Sequence, residues 1–163
     1  MDAIKLLTQQ HREVEDLFTE FEEMGEGETA AREQLCQKIS DALAVHITIE
    51  EQIFYPATKG ARTEELLREA VEEHLAAKRV IADLLQTGPS DAQFSARMKV
   101  LQEQIEHHVK EEEKELFPAA KKVLDRDQLE ELGDEMERLA KELSEAGEPR
   151  MAVPDETDRP API

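Results

Sequence analysis

Six side chains in this sequence have the types and spacing to hold metal ions inside a helical core: His11, His46, Glu50, His74, His108 and Glu112. Along an α-helix, residues three, four, seven and eleven apart share a face. On that reading His46 and Glu50 fall within the apolar stripe of Leu35, Ile39, Leu43 and Ile53, and His108 and Glu112 within that of Phe94, Leu101, Ile105 and Leu116. His11 sits among Ile4, Leu7, Val14 and Phe18, and His74 among Leu67, Ala70, Val71, Ile81 and Leu85. Each stripe therefore turns one imidazole inward, and two of them add a glutamate one turn later. A buried carboxylate without a partner is costly, so these glutamates call for protons, cations or a metal. Imidazole nitrogen and carboxylate oxygen both suit iron, manganese or zinc, and a carboxylate can bridge two ions. A core imidazole bonded to an acid explains any one histidine. Four on four separate inward faces favour a metal site.

His107 provides a contrast. It lies about 100° around the helix from His108, off the stripe, and reads as a surface residue or one that supports the ligands from outside. Glu51, Glu111 and Glu113 read as a solvated face, and Glu15 as an ion-pair partner beside His11.

The elements that must carry these residues are separated by turn signals at Gly25-Glu26-Gly27, Gly60-Ala61-Arg62-Thr63 and Thr87-Gly88-Pro89-Ser90-Asp91. Four long helices are expected near residues 2–24, 29–59, 63–87 and 91–123, with a shorter amphipathic helix near 127–146 packed outside them. The organisation expected is an all-α bundle over 1–123, an additional helix over 124–146, and a tail over 147–163. Pro149, Pro154, Pro160 and Pro162, with few apolar neighbours, make disorder the expectation for that tail. The segment HITIEEQIFYPATK from His46 matches HVKEEEKELFPAAK from His108 at His, two Glu, Pro, Ala and Lys, and nearly the same offset carries His11 onto His74. A duplicated helix pair follows.

Composition narrows the function. The 163 residues are rich in helix formers, contain no Trp, and carry a formal net charge of −19, which disfavours nucleic acid because phosphates need clustered Lys and Arg. No apolar run approaches membrane-spanning length, and the first residues lack a basic-then-apolar leader. The single cysteine, Cys36, fits a reducing compartment and reads as a small buried hydrophobe. A cytoplasmic location is expected.

The inward His11, the HITIEEQIFYP segment, the Glu73-His74 pair and the HHVKEEEKELFP segment resemble the hemerythrin-like family, specifically its HHE cation-binding members. The resemblance implies an up-down-up-down four-helix bundle with a carboxylate-bridged pair of non-haem iron ions. Carried over by position, His11 and His46 would serve one iron, His74 and His108 the other, and Glu50 and Glu112 would bridge them. The oxygen-carrying members have a further histidine where this chain has Lys78, and an aspartate five residues after the last histidine where this chain has Glu112 after four. Simple oxygen carriage is therefore disfavoured. The position near His74 is left to water, peroxide, Lys78 as a neutral amine, or Tyr55. Tyr55 is the sole tyrosine, and its counterpart in the half-repeat is Phe117. Regular helix geometry puts it off the His46 face as a packing or hydrogen-bonding residue, whereas a break at Pro56 would swing it inward as a ligand.

The function expected is that of a di-iron protein interacting with dioxygen, peroxide or nitric oxide, by binding, sensing or a catalase-like decomposition of peroxide. Metal storage without redox turnover is the alternative, although the ferritin-like order is Glu-x-x-His rather than the His-x3-Glu found here.

Overall fold

A computed structural model describes residues 1–163, which form helices and connecting turns without a strand. Helix α1 (Ala3–Glu23) starts where Asp2 accepts a hydrogen bond from the Lys5 amide at 2.9 Å. Helix α2 (Thr29–Ile49) runs into a π-helical turn (Glu50–Phe54) and then a single α-turn, α3 (Tyr55–Thr58). Thr63 ties the next corner by donating to the Thr58 carbonyl at 2.7 Å and accepting from the Gly60 amide at 2.9 Å. Helix α4 (Glu64–Thr87) stops at Gly88, whose φ of +73° suits a residue without Cβ. Helix α5 (Phe94–Glu111), a second π-helical turn (Glu112–Leu116) and α6 (Phe117–Val123) complete the segment expected as one helix. Helix α7 (Arg126–Glu145) opens with a reciprocal cap between Asp125 and Gln128.

The two π-turns have a common cause. Pro56 and Pro118 lack the N–H of an α-turn, and a proline ring presses on the carbonyl four residues earlier. In both places the turn before the proline widens by one residue: the Tyr55 amide reaches the Glu50 carbonyl, and the Phe117 amide reaches that of Glu112. Each wide turn begins at the glutamate one turn after the inward histidine. The helices beyond are rotated from where regular geometry would place them.

Two apolar clusters fill the interior. One gathers Val14, Phe18, Leu43, Ile81, Leu101 and Ile105; the other gathers Leu7, Ile49, Phe54, Leu67, Val71 and Leu116. Along α1, α2, α4 and α5 the inward histidine falls between them, so the polar residues form a layer enclosed by two apolar ones. Helix α7 packs on α1 and α2, burying Leu129 and Met136. Gly133 permits that approach, because a Cβ there would lie 1.9 Å from the Met1 carbonyl oxygen.

The tail differs from the disorder expected of it. Residues Pro149–Glu156 form a 3-10 helix against α2 and α4. Val153 inserts into the first cluster, and Ala161 and Ile163 pack on the second. Arg150 binds Asp41 through its amide and its guanidinium, both at 2.9 Å. Three apolar anchors and two ion pairs, Arg150 with Asp41 and Glu156 with Lys78, suffice to order a segment whose proline content alone suggests otherwise. No helix is long and apolar enough to cross a membrane.

Candidate metal centre

The structure brings together all six residues picked out by helical phase, and buries them. His11, His46, Glu50 and Glu112 can place one donor atom each within 4.8 Å of one another, as can Glu50, His74 and His108. Glu50 belongs to both groups. Its Oε1 lies 2.9 Å from His46 Nε2 and its Oε2 lies 2.9 Å from His74 Nε2. Glu112 also spans them, with Oε1 at 3.1 Å from His11 Nε2 and Oε2 at 3.4 Å from His108 Nε2. Each carboxylate thus turns one oxygen toward each histidine pair.

The outward ring nitrogens are also occupied. Nδ1 faces Glu113 Oε2 in His11 (3.2 Å), Gln10 Oε1 in His46 (2.7 Å), Glu51 Oε2 in His74 (2.9 Å) and Glu73 Oε1 in His108 (2.8 Å). These oxygens accept, so each Nδ1 donates and each neutral ring keeps its lone pair on the inward Nε2. Glu51 and Glu113 therefore do not form the solvated face expected of them: the Glu51 side chain is buried between His74 and Lys78, and Glu113 also pairs with Arg12. Glu15 does pair with Arg12, at 3.4 Å. His107 stays outside with its side chain 63% exposed, beside Glu73 and Glu111.

Residues 2–120 match the sequence family described as the hemerythrin HHE cation binding domain. The chain belongs to that family. Its helical bundle also resembles a hemerythrin HHE cation binding domain-containing protein from Mycobacterium kansasii, with a TM-score of 0.79 over 95% of this chain and 98% of that one; at 24% identity the likeness is one of fold. A DNA nickase of a Nostoc species is 24% identical over 145 residues, covering 89% of this HHE domain chain but only 41% of the nickase.

The donor set of this HHE domain fits a cation. His46 Nε2 and Glu50 Oε1 are buried and have no hydrogen-bond partner, although they face each other. His74 Nε2 and His108 Nε2 approach to 3.2 Å while both Nδ1 atoms point at carboxylates, so two lone pairs converge unless a proton or metal lies between them. Burial pulls the His108 pKa down, but the charge and hydrogen bond of Glu112, helped by Glu50 and Glu73, carry it well above its ordinary value. Burial pushes Glu50 up, but His46, His108 and His74 hold it well below the usual carboxylate range. The cluster thus demands positive charge. Apolar side chains of Val14, Leu43 and Ile105 meet the imidazoles around a cavity of about 10 Å³, room for about one water-sized group.

Tyr55 and Lys78 part company in the structure. Tyr55 is buried in the layer, its Oη 3.0 Å from Glu50 Oε2, 2.7 Å from Glu112 Oε2 and 3.2 Å from His74 Nε2. The wide turn that precedes Pro56, rather than a break at it, brings the ring inward. The visible signal is a proline ten residues after the histidine in both half-repeats. Lys78, considered as an amine ligand, instead turns its Nζ to Glu51 (2.8 Å) and Glu156 (3.1 Å), away from the donors.

Proposed function

We propose that this HHE domain holds two iron ions, one between His11 and His46 and one between His74 and His108, with Glu50 and Glu112 bridging, and that it interacts with dioxygen, peroxide or nitric oxide. The observation that carries this reading is the approach of His74 Nε2 and His108 Nε2 to 3.2 Å, two ring nitrogens whose outer partners take the Nδ1 protons, so that each neutral ring presents its Nε2 lone pair to the same point. Four imidazoles and two carboxylates exceed what one ordinary site uses and suit first-row metals. Iron bound there supplies redox chemistry and a position for a small ligand. Tyr55 adds a phenol oxygen on the His74 side. The chain's own part is to orient the imidazoles, keep Glu50 and Glu112 ionised, and exclude water through the apolar layers. Peroxide decomposition is the enzymatic form of this reading, in a cytoplasmic protein whose bundle spans residues 1–123 in up-down-up-down order, with 124–146 and 147–163 packed on it.

Metal content measured on untagged protein, with optical spectra before and after oxygen, peroxide or nitric oxide, tests the proposal. About two irons per chain and a spectral response are expected; one zinc and no response would sink it. Storage without redox turnover predicts metal that is taken up and released with no such response. The nicking activity named for the Nostoc relative is not carried over, since a charge of −19 opposes a phosphate backbone.

A further inference from the structure

The C-terminal 3-10 helix lies beyond the residues that match the family, yet a line of charged contacts joins it to an inward histidine. Glu156 Oε1 is 3.1 Å from Lys78 Nζ, Lys78 Nζ is 2.8 Å from Glu51 Oε1, and Glu51 Oε2 is 2.9 Å from His74 Nδ1. We propose that Lys78 and Glu156 are positioning residues for the metal centre, through which the seated C-terminal segment sets the orientation of His74 and slows exchange of the ion on that side. The inference rests on the metal-binding reading above.

The physical case begins with Glu51. Its side chain is 7% exposed, and one oxygen receives the His74 proton. Unopposed, that carboxylate would carry a largely desolvated charge and would turn toward water, taking the imidazole with it. Lys78, itself only 4% exposed, neutralises it from the other oxygen. A buried ammonium needs its remaining protons satisfied as well, and the only other carboxylate that reaches it comes from the tail. The other three histidines differ. His46 leans on the side chain of Gln10, His11 on Glu113 of the second π-helical turn and His108 on Glu73 of α4, all within the matched region.

Magnitudes divide the work. Glu156 is 41% exposed, so its pair with Lys78 is screened and weak alone. The seat is made by Val153, which is 3% exposed in the first apolar cluster, by the two Arg150 contacts to Asp41, and by Arg79 donating to the Thr157 carbonyl at 3.0 Å. Val153→Ser should therefore unseat the whole turn, whereas Glu156→Gln removes only the last charge.

The test uses the full chain loaded with Co²⁺, whose visible ligand-field bands report imidazole geometry, and follows its loss to excess EDTA. Val153→Ser should release cobalt about tenfold faster than the parent, the scale typical of lost outer partners of metal-binding histidines. Glu156→Gln should release it about threefold faster and shift the bands, as expected for one half-exposed pair. Arg126→Gln, on the exposed side of α7, should match the parent. Parent-like release and bands in Val153→Ser, with hydrogen exchange showing residues 149–157 opened, would overturn the proposal. If the parent itself retains neither cobalt nor iron, the metal-binding reading fails and the positional link is judged on metal-free protein. Faster acylation of Lys78 and faster deuteration of the His74 ring in Val153→Ser then support it, and unchanged rates at both overturn it.

Discussion

Tyr55 stacks on His74 with ring centroids 5.4 Å apart, just as Phe117 stacks on His11 at 5.8 Å, but only Tyr55 presents an oxygen to the carboxylates. The two halves of the layer are thus alike in packing and unlike in chemistry. Burial and the charges of Glu112 and Glu50 push the phenol well above its ordinary pKa, so in the absence of metal it is a donor. A ferric ion beside it would favour the phenolate.

Tyr55→Phe makes the halves equivalent. In the iron-loaded protein it should abolish a phenolate charge-transfer band in the visible while two irons are retained. In the metal-free protein it should cost about 1–3 kcal/mol, because Glu112 loses a buried donor. Identical visible spectra for parent and variant would show that Tyr55 stays a hydrogen-bonding residue when iron is bound.

His46→Ala and His108→Ala should each lower metal content and thermal stability. Metal held at a thousand times its Kd contributes about 4 kcal/mol to the folded state, and losing a ligand forfeits much of it. His107→Ala should do neither, since its ring is solvated beside Glu73 and Glu111. Metal loss in His107→Ala equal to that in His108→Ala would contradict the separation of the two faces.

The contrast between His107 and His108 also shows what could be read from sequence. Helical phase separated the two neighbours because apolar residues three and four apart mark one face, and it gathered the six inward donors for the same reason. Phase assumes a regular helix, however, and the π-turns at Glu50 and Glu112 break that assumption. Regular phase therefore places Tyr55 off the face it occupies. Glu51 looked solvated because its two partners, Lys78 and His74, come from α4, and a carboxylate's burial depends on what crosses it rather than on its own helix. The tail failed for a related reason: its prolines forbid an α-helix but not a 3-10 turn, and Val153 has no local periodicity to announce its pocket.

Gly133→Ala tests the packing of α7. Helix propensity alone favours the change by about 1 kcal/mol. The added methyl would meet the Met1 carbonyl oxygen, an atom of the backbone that cannot swing aside like a side chain. Overpacking of this kind costs about 1–3 kcal/mol, so the net effect should be destabilising in urea unfolding. An increase in stability would show that α1 and α7 separate freely at that point.

The effect of pH should reverse sign when metal is added. In metal-free protein, burial lowers the pKa of His11 and His74, but hydrogen bonds and charges from Glu112 and Glu50 outweigh it, and both end above the ordinary 6.5, as does His108. A histidine raised in the folded state contributes stability that is complete below its unfolded pKa and is lost as pH rises through the folded one. Glu50 and Glu112 are held below the ordinary 4.5 despite burial, so their contribution is present above that value and disappears as pH falls through their folded pKa. Metal-free protein should therefore be most stable between these two ordinary values, with Tm falling as the solution is made more alkaline. Metal binding requires the same imidazoles without their inward protons, so the Tm increment from metal should grow with pH over the same interval. Thermal melts at matched ionic strength, with and without metal, read both slopes. A metal-free Tm that rises from neutral to alkaline pH would mean that the imidazoles are neutral in the fold, and an increment that shrinks would mean that they are not the ligands.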